Sequence, residues 1–434
     1  TGKVIALAIN SPRGTADIYG ENIKYRNFVI NSVRELFEVF NFEEIINPAF
    51  EHTEVFSRSI GESTDIVQKE MYTFPDRKGR SLTLRPEGTA SVVRAVVEKK
   101  MLIPENIPLK LFYIGNMFRY ERPQKGRMRE FWQIGVEALG SDDPILDAEI
   151  IWMLNKIFDR LGFKNLKLLI NSIGCSKCRK DFIIKFKEFI QPEIEGLCGD
   201  CKQRYKKNPL RIFDCKVPGC KAIVDGSPKI NEFLCDSCSD HFDKVKEALA
   251  DLSLDYRVSD DLVRGFDYYT GTIFEMISTD LESAQNALGG GGRYDRLLKE
   301  FNGPDKPAIG FAIGLDRTIM LMKDLGIKYI TGESKAKVYI ISIADSGSSY
   351  IISILKDLRD GGIICDMDYA GSSIGAGIKR AGKKGFNIAV IIGDDEINNN
   401  TITIKDLKDY KQYNINKDKL LEKISEIIGA VKND

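Results

Sequence analysis

The sequence predicts an α+β domain that is interrupted by a cysteine-rich insert and followed by a smaller α/β domain. Strand and helix patterns fill the first part of the chain, break off near residue 165 and resume near residue 250. Eight of the nine cysteines lie in that gap, between Cys175 and Cys238. In the last part, apolar strands such as KVYIISIA and FNIAVIIG alternate with helical stretches, which is the pattern of a separate α/β unit. The expected boundaries are 1–165 and 250–325 for the first domain, 166–249 for the insert and 335–434 for the last domain.

Composition places the chain among ordinary globular proteins. Its 434 residues exceed the usual size of one hydrophobic core, so two or three domains are expected. A hydrophobic content of 43%, a charged content of 29% and a net charge of zero exclude a disordered chain, and any contact with nucleic acid must come from local patches. Because His52 and His241 are the only histidines, catalysis by several imidazoles is excluded.

The first residues, TGKVIALAINSPRG, contain one short apolar run that soon meets Pro12 and Gly14. Such a run fits neither a signal peptide nor a membrane-spanning helix. We therefore expect a cytoplasmic protein that has no membrane among its partners.

Helix and strand signals then follow one another along the first domain. Apolar residues at helical spacing predict a helix from 25 to 40, and the next apolar stretch, EEIINPAF, predicts a strand interrupted by Pro48. SLTLRPEGTASVVRAVVEKK predicts a short strand and then an amphipathic helix, with Pro86 in its opening turn. Glu87 is expected near the positive end of that helix, where a carboxylate is stabilised.

A long β-hairpin is predicted by LKLFYIGNMFRY and FWQIGVEALG, which flank a loop rich in arginine and lysine. Alternation places Tyr113, Gly115, Met117 and Arg119 on one face of its first strand, and Phe131, Gln133, Gly135 and Glu137 on one face of its second. The two glycines leave bare backbone on which a flat ligand can lie, with Arg119, Gln133 and Glu137 around it. The alternative is that these polar side chains face solvent.

The stretch LVRGFDYYTGTIFE, Leu262 to Glu275, predicts another strand by its apolar, aromatic and β-branched content. It contains one arginine, Arg264, in largely apolar surroundings. A buried guanidinium without an anionic partner is costly. We therefore expect Arg264 to contact either a substrate anion or an internal carboxylate such as Asp267.

Glycine-rich and basic stretches follow. The run Gly289 to Gly292 lacks the Gly-Lys-Ser/Thr of a phosphate-binding loop and is interpreted as a place of close backbone approach. AIGFAIGLDRTIMLMKDLG predicts a strand that runs into a helix with Arg317 in its first turn, and a domain break is expected around TGESKAK. The basic run from Lys379 to Lys384 is typical of a solvated helix face, with a polyanion contact as the alternative.

The cysteines of the insert are paired in sequence. The pairs are Cys175 and Cys178, Cys198 and Cys201, Cys215 and Cys220, and Cys235 and Cys238. In a reducing compartment such pairs favour tetrahedral thiolate zinc over disulfides. Spacing does not decide which pairs share a metal ion, and the alternative is a set of reduced, packed cysteines.

Several of these motifs resemble one known family. TLRPEGTA, FRYERPQKGRMREFWQIGVE, LVRGFDYYTGTIFE, GGGGRYD and GFAIGLDR are similar to the ATP and amino-acid motifs of histidyl-tRNA synthetase, a class II aminoacyl-tRNA synthetase. The resemblance spans nearly the whole chain, and RGFDYYTGT is similar to the histidine-specific signature. It implies a class II catalytic domain with a mostly antiparallel sheet and a C-terminal anticodon-binding domain. The implied activity is ligation of L-histidine, through histidyl-adenylate, to the 3′ end of tRNA(His).

The resemblance also implies roles for individual residues. Histidine would be held by Glu87, Thr89, Gln133, Glu137, Tyr268 and Tyr269. ATP, with its Mg²⁺, would be held by Arg119, Glu121, Arg127 and Arg317. Arg264, Arg119 and Arg317 would act in catalysis, with Arg264 between the histidine carboxylate and the α-phosphate. The tRNA acceptor end would meet Arg122 and Gln124.

Two departures and two alternatives accompany the resemblance. Trp132 stands where many relatives have histidine, and Asp316 replaces the more usual glutamate, yet neither is expected to abolish activity. The helix before Pro48 resembles the family's dimer-forming motif, so a homodimer is expected. The alternatives are a non-catalytic regulator of histidine biosynthesis and an RNA-binding module without chemistry. We further expect the insert to lie near the tRNA acceptor arm, because of its lysines, which include Lys185, Lys187, Lys202, Lys206 and Lys207.

Overall fold

The computed structural model describes residues 9–61, 64, 66–122, 126–280, 286–329, 337–344, 348–371 and 373–430. The chain divides into two compact units, Thr1–Ile330 and Thr331–Asp434. Three sequence predictions fall partly outside the described residues. These are the role of Gln124, the apolar run that opens the chain, and the break around TGESKAK.

The first unit contains eleven described strands and ten described α-helices. The strands are β1 Glu43–Glu44, β2 Phe50–His52, β3 Thr73–Pro75, β4 Ser81–Leu84, β5 Leu109–Phe118, β6 Glu130–Leu139, β7 Leu166–Ser172, β8 Tyr256–Val258, β9 Thr270–Ser278, β10 Ala287–Arg293 and β11 Ala308–Gly314. The helices are α1 Glu21–Val39, α2 Thr53–Ile60, α3 Thr89–Glu98, α4 Pro144–Leu161, α5 Ser176–Ile190, α6 Gly199–Lys207, α7 Pro218–Asp225, α8 Asp236–Asp251, α9 Leu297–Glu300 and α10 Leu315–Asp324. One turn of π-helix lies at Ile66–Glu70, and 3-10 turns lie at Pro104–Asn106, Gln191–Gly196, Pro209–Ile212 and Ile230–Phe233.

An eight-stranded mixed sheet forms the centre of this unit, in the order β1-β5-β6-β11-β10-β9-β7-β8. The six inner strands are antiparallel, and the two edge strands, β1 and β8, pair in parallel with their neighbours. A small sheet in the order β2-β4-β3 lies beside it. The predicted hairpin is confirmed, since β5 and β6 pair antiparallel along their whole length.

Alternation along β5 and β6 separates two hydrophobic clusters, as the faces of a sheet require. Phe112, Ile134 and Val136 pack with helices α1, α4 and α10 in one cluster. Tyr113 and Leu139 pack in the other, which also takes in α3 and the core of the cysteine-rich segment. The predicted sharing of one face by these residues is confirmed, because Tyr113 stands opposite Gly135 and Gly115 opposite Gln133.

One prediction needs correction. Leu262 to Tyr269 is not a strand, because β9 begins only at Thr270, and the preceding segment runs through turns instead of pairing. Strand β7, which lies within the range expected for the insert, pairs with β9 in the central sheet. Helix α8, at the other end of that range, packs against α4. Both ends of that range therefore belong with the central sheet and its helices.

A buried charged group lies behind the sheet. Asp147 of α4 is fully buried and pairs with Arg293, at 2.6 Å between Oδ1 and a terminal nitrogen of the guanidinium. His241 of α8 contributes Nε2 at 2.9 Å from Oδ2 of the same carboxylate. These contacts tie α4 and α8 to the end of β10. They thereby set the position of the next residue, Tyr294.

The second unit is the predicted small α/β domain. Its strands are β12 Lys337–Ser342, β13 Ile364–Met367, β14 Ile388–Ile392, β15 Thr401–Asp406 and β16 Gln412–Asn416, in the order β13-β12-β14-β15-β16. Its helices are α11 Ser348–Asp360, α12 Ile374–Lys383, α13 Asp394–Asn399 and α14 Leu420–Ala430, with a 3-10 turn at Lys417–Lys419. In the predicted basic run, Arg380 pairs with Asp368 and Lys384 with Asp366. Two side chains of the basic run thus form ion pairs within the second unit.

None of the helices in the described part of the chain combines the length and the apolar character needed to cross a membrane.

Candidate active site

Two adjoining cavities open on the ligand face of the sheet. The first, of about 350 Å³, is lined by all six residues predicted to hold histidine: Glu87, Thr89, Gln133, Glu137, Tyr268 and Tyr269. The second, of about 420 Å³, is lined by the four residues predicted to hold ATP: Arg119, Glu121, Arg127 and Arg317. Arg119, Arg127 and Arg264 line both cavities. The fold therefore brings the predicted residues together in two groups that meet at cations.

A buried carboxyl group forms the floor of the first cavity. Glu137 projects from β6 and is only 1% exposed. Its Oε1 accepts a hydrogen bond of 2.7 Å from the hydroxyl of Thr89, and its Oε2 accepts one from the hydroxyl of Tyr294. Burial raises the pKa of Glu137 to about 8, although both hydrogen bonds favour the ionised form. The group can therefore gain or lose a proton near neutral pH.

A second carboxyl group lies at the start of α3. Glu87 accepts hydrogen bonds from the backbone N–H of Thr89 at 2.7 Å and of Ala90 at 2.8 Å. These are N–H groups that the first turn of a helix leaves without partners, so Glu87 caps α3. Burial raises the pKa of Glu87, because the charged form loses solvation. A cationic ligand in the cavity would restore the ionised form.

The glycines of the hairpin do not serve as expected. A Cβ at Gly135 would collide with the ring of Tyr113, and a Cβ at Gly115 would collide with the guanidinium of Arg85. The bare backbone is therefore covered by these two side chains and not by a ligand. Alternation predicts the face on which Tyr113 lies. Its size, opposite a glycine on the paired strand, was the signal that it fills this space.

The internal partner of Arg264 is Glu275, not Asp267. A terminal nitrogen of its guanidinium lies 2.6 Å from Oε1 of Glu275, and the guanidinium carbon lies 5.9 Å from the ring centre of Tyr269. The Arg264 side chain is 18% exposed. Because Glu275 lines only the second cavity, the ion pair holds the guanidinium at the boundary between the two. Glu275 is the sixth residue of β9, so the alternation of side chains along this strand predicts the face of the sheet on which Glu275 lies.

A set of ion pairs extends from the boundary into the second cavity. Arg119 donates from Nε to the carbonyl oxygen of Pro86 at 2.8 Å and lies 3.8 Å from Glu121. Arg127, from the other side of the hairpin loop, lies 3.1 Å from the same carboxylate. Glu121 therefore positions the guanidinium groups of Arg119 and Arg127 beside the same cavity. Such spacing of cations suits a polyphosphate.

The far end of the second cavity is formed by β11 and α10. Arg317 lies in the first turn of α10, as predicted. Asp316 accepts a 2.6 Å hydrogen bond from the backbone N–H of Trp132 and so fixes the start of this helix to β6. The ring of Trp132 packs under the guanidinium of Arg26 at 3.9 Å. Gly289 lines this cavity and Gly290 lines the first, so the glycine run lies beside both.

Several polar atoms around the cavities are unsatisfied. Among the described residues, no hydrogen-bond partner is present for Tyr113 Oη, Gln133 Oε1, Arg264 Nε and Arg317 Nε, all buried. Buried polar groups in proteins are nearly always hydrogen-bonded, and an orphaned group requires an explanation. Because each of these residues lines one or both cavities, a bound polar ligand is the natural partner.

Of the two residues predicted to meet the tRNA acceptor end, one lies among the described residues. Arg122 is exposed in the loop between β5 and β6, directly after Glu121 of the second cavity. Gln124 lies outside the described residues. No further contact of the loop tip is described.

The eight clustered cysteines form two groups of four. Cys175, Cys178, Cys235 and Cys238 make one group, and Cys198, Cys201, Cys215 and Cys220 the other, with all four sulfur atoms of a group within 4.8 Å of one another. The sulfur atoms of Cys175 and Cys178 are 3.6 Å apart, and those of Cys198 and Cys215 are 3.8 Å apart. Four thiolates at the usual Zn–S distance around a tetrahedral ion would lie about 3.8 Å apart. None of the nine cysteines forms a disulfide.

Backbone hydrogen bonds prepare these sulfur atoms for a metal. The N–H of Cys198 points to Sγ of Cys220 at 3.2 Å, and the N–H of Cys235 points to Sγ of Cys178 at 3.2 Å. Hydrogen bonding from the backbone and the thiol of Cys201 lowers the pKa of Cys198 to about 7. Thiolates are the ligating form of cysteine, so the surroundings favour ligation by Cys198. Burial raises the pKa of Cys178, Cys201, Cys220 and Cys238, so a metal ion would have to displace protons from these thiols.

Family models match most of the chain. The model of histidyl-tRNA synthetase matches residues 14–177 and 227–318, and the model of an anticodon-binding domain matches residues 337–427. The histidine–tRNA ligase of Halothermothrix orenii is 44% identical over 97% of this chain and 100% of its own length. That of Acetivibrio thermocellus is 43% identical over 96% of this chain and 100% of its own length.

Solved structures agree with this assignment. The crystal structure of apo S. aureus histidyl-tRNA synthetase has a TM-score of 0.81 and 37% identity, and the match covers 96% of this chain and 100% of that one. An ATP phosphoribosyltransferase regulatory subunit/histidyl-tRNA synthetase from Bacillus halodurans has a TM-score of 0.62 at 21% identity, over 88% of this chain and 97% of its own, which is a likeness of fold alone. From the family match and the identity along nearly its full length, the chain belongs to the histidyl-tRNA synthetase family.

Proposed function

We propose that the protein activates L-histidine with ATP to histidyl-adenylate and transfers the histidyl group to the 3′ end of tRNA(His). The observation that carries this proposal is the position of Arg264 between two cavities, one suited to an amino acid and the other to a polyphosphate. Relatives that are 43–44% identical along nearly the full chain are histidine–tRNA ligases.

In the first cavity, the imidazole and the α-amino group of histidine would find separate partners. Glu137 and Tyr269 would bind the two ring nitrogens, one as an acceptor and one as a donor, with Tyr268 packing beside them. Glu87, Thr89 and Gln133 would surround the ammonium group, since a carboxylate and neutral oxygens suit a cation. The unsatisfied Oε1 of Gln133 supports this placement. An amino acid without ring nitrogens would offer no partner to Tyr269 or to the remaining acceptor positions of Glu137, which is the strong form of discrimination.

In the second cavity, ATP would lie with its phosphates toward the arginines. Arg119 would contact the α-phosphate and Arg317 the γ-phosphate, with Glu121 and Arg127 nearby. Glu121 and Glu275 supply carboxylate oxygens, which are the ligands Mg²⁺ prefers, in the same cavity. An ATP-bound Mg²⁺ would neutralise phosphate charge there. Gly289 and Gly290 lie beside the two cavities, where a Cβ on either would collide with a neighbouring strand of the sheet.

The chemistry of activation then needs fixed positive charge more than proton transfer. An oxygen of the histidine carboxylate forms a bond to the α-phosphorus, and the bond from that phosphorus to the bridging oxygen of pyrophosphate breaks. The attacking carboxylate is already ionised, so no general base is required. Charge grows on the phosphoryl oxygens, and Arg264 and Arg119 are positioned to stabilise it without reorganisation.

Contacts with tRNA would come from both units. The second unit matches an anticodon-binding domain. In the first unit, Arg122 is exposed beside the ATP cavity, where the acceptor end must arrive, and Gln124 remains a candidate for the same contact. Nine reduced cysteines and a tRNA substrate support a cytoplasmic location. The homodimer expected from the region before Pro48 stays a prediction, as do the expected domain boundaries.

The two cysteine groups would each bind one Zn²⁺. Their sulfur spacing, the backbone N–H bonds to two of the sulfur atoms and the absence of disulfides among all nine cysteines support this proposal. Four thiolate ligands leave no open coordination position, so the role of the metal is structural.

A non-catalytic regulator of histidine biosynthesis is not favoured. A regulator has no need of a complete phosphate site, whereas Arg119, Arg264 and Arg317 all line the cavities here. An anticodon-binding domain is also matched. An RNA-binding module without chemistry would not require the buried carboxyl groups of Glu87 and Glu137.

Replacing Arg264 by alanine tests the proposed chemistry. We expect histidine-dependent exchange of pyrophosphate into ATP in the wild type, none with the other nineteen amino acids, and a loss of at least about 100-fold in Arg264→Ala. Arg257→Ala is the matched control, because Arg257 is an exposed arginine on the edge strand β8. Exchange that survives in Arg264→Ala would remove the arginine from the mechanism. A folded, metal-loaded wild type without exchange for any amino acid would favour the regulator.

Replacing Glu137 by glutamine tests the raised pKa of this buried carboxyl group. The folded-state pKa of Glu137 is raised to about 8 from an ordinary 4.5, so its stabilising contribution is full below the lower value and is lost as the pH rises through the upper one. In that window the free energy of unfolding of the wild type should fall relative to Glu137→Gln, by up to about 1.36 kcal/mol per pH unit. Urea unfolding of both proteins near pH 5 and near pH 8 measures this difference. Parallel pH dependence in the two proteins would show that Glu137 is ionised throughout.

Metal analysis tests the cysteine groups. The purified protein should contain two zinc ions per chain, one for each group of four. Cys198→Ala should lower this to one, because the second group would lose a ligand. Cys365→Ala, which changes the cysteine outside both groups, should keep two. An unchanged zinc content in Cys198→Ala, measured by plasma mass spectrometry, would show that this group does not bind the metal.

A further inference from the structure

The segment from Asp260 to Tyr269, called the recognition loop below, carries three side chains of the active site. Arg264, Tyr268 and Tyr269 all belong to it. The loop contains no strand or helix, so the hydrogen-bond ladder of the sheet does not fix it. Its shape must therefore come from contacts with other parts of the unit.

The cysteine-rich segment provides such contacts along the whole loop. They are Asn231 Nδ2 to Asp260 at 2.6 Å, Lys229 Nζ to Asp261 at 2.6 Å, Arg211 to the carbonyl oxygen of Gly265, Asn208 Nδ2 to Asp267 Oδ1 at 2.7 Å, and Arg179 to the carbonyl oxygen of Tyr269 at 3.0 Å. Five donors thus reach the loop from one side, over ten consecutive residues.

Each donor is placed by a cysteine group. Arg179 follows Cys178 directly, in the first turn of α5. Asn208 and Arg211 lie in the short connection between Cys201 and Cys215, two members of the second group. Lys229 and Asn231 lie between Cys220 and Cys235, which connects the two groups. A metal ion in each group would hold the backbone that presents these donors.

The opposite side of the loop is closed by the end of α2. The backbone N–H of Asp267 donates to the carbonyl oxygen of Ile60 at 3.3 Å. Gly61 has φ +97°, and a Cβ there would collide with the carboxylate of Asp267. The loop therefore passes between α2 and the cysteine-rich segment. Arg211, 13% exposed, and Asn208 press on it at this narrow point.

We propose that Asn208 and Arg211 are positioning residues for histidine recognition. They hold the recognition loop in the form that directs Arg264, Tyr268 and Tyr269 into the first cavity. The cysteine-rich segment is thereby part of the amino-acid site, although none of its side chains lines the first cavity among the described residues. This inference rests on the proposed function and assigns a part of histidine binding to that segment.

The two substrates should respond differently to a change in this contact. Arg211→Ala removes a charged donor from the Gly265 carbonyl and a positive charge 4.0 Å from Asp267. The KM for histidine should rise about tenfold or more, whereas the KM for ATP should change less than about twofold. Arg119 and Arg317 are not on the loop, and the ion pair with Glu275 of β9 still holds the guanidinium of Arg264. Arg211→Lys, which keeps a donor and the charge, should recover most of the histidine affinity.

Hydrogen exchange supplies a readout that is independent of activity. In Arg211→Ala the backbone amides of the recognition loop should exchange faster, while those of β5 and β6 keep the wild-type rate. Lys202→Ala is the matched control, because Lys202 lies in the same segment and pairs only at the surface with Glu195, at 2.6 Å. It should change neither the exchange nor either KM.

The outcomes separate this inference from the proposed function. Equal rises in the two KM values, or loop exchange like that of Lys202→Ala, would overturn the positioning role. If the wild type showed no histidine-dependent exchange of pyrophosphate, the proposed function would fall. The effect of Arg211→Ala on hydrogen exchange and on histidine binding by calorimetry would still decide the positioning role.

Discussion

The ion pair between Arg264 and Glu275 is the contact on which the proposed chemistry depends. It holds one guanidinium at the boundary of two cavities, with a nitrogen 2.6 Å from the carboxylate. A free arginine would populate many rotamers, and a fixed one lowers the cost of meeting the charge that develops on phosphorus. Glu275 belongs to β9 and is therefore rigid, whereas Arg264 comes from a loop. The central sheet thus fixes the guanidinium end of Arg264 through Glu275, and the recognition loop fixes its backbone.

The rest of the amino-acid cavity follows the same division between sheet and loop. The sheet contributes Gln133 and Glu137, and the hydroxyl groups of Thr89 and Tyr294 fix the Glu137 carboxyl from two sides. Tyr294 is held in turn by the group at Asp147 behind the sheet, through the neighbouring residue. The recognition loop depends on the cysteine-rich segment instead. Arg119 and Arg317, proposed to bind ATP, lie outside the recognition loop, whereas Arg264, Tyr268 and Tyr269 lie on it.

Local patterns predicted what is local in the chain. The shared face of the polar residues on β5 and β6 follows from alternation, and the position of Arg317 in the first turn of α10 follows from the switch of period. Contacts between distant residues were not predictable from spacing: Tyr294 meets Glu137 across 157 positions, and the grouping of the cysteines joins pairs from both ends of the insert. The aromatic residues of the recognition loop have strand propensity, so the sequence predicts a strand there. In the structure Tyr268 and Tyr269 line a cavity instead.

The most direct measurement compares two ligands on two proteins. Histidinol has an alcohol in place of the carboxylate of histidine but keeps its imidazole and amino group. If Arg264 binds the carboxylate, Arg264→Ala should weaken histidine binding about tenfold or more in calorimetry and leave histidinol binding nearly unchanged, since one partner of the pair is already missing. Equal weakening of both ligands would show that Arg264 acts on the shape of the cavity and not on the carboxylate, and would contradict the account.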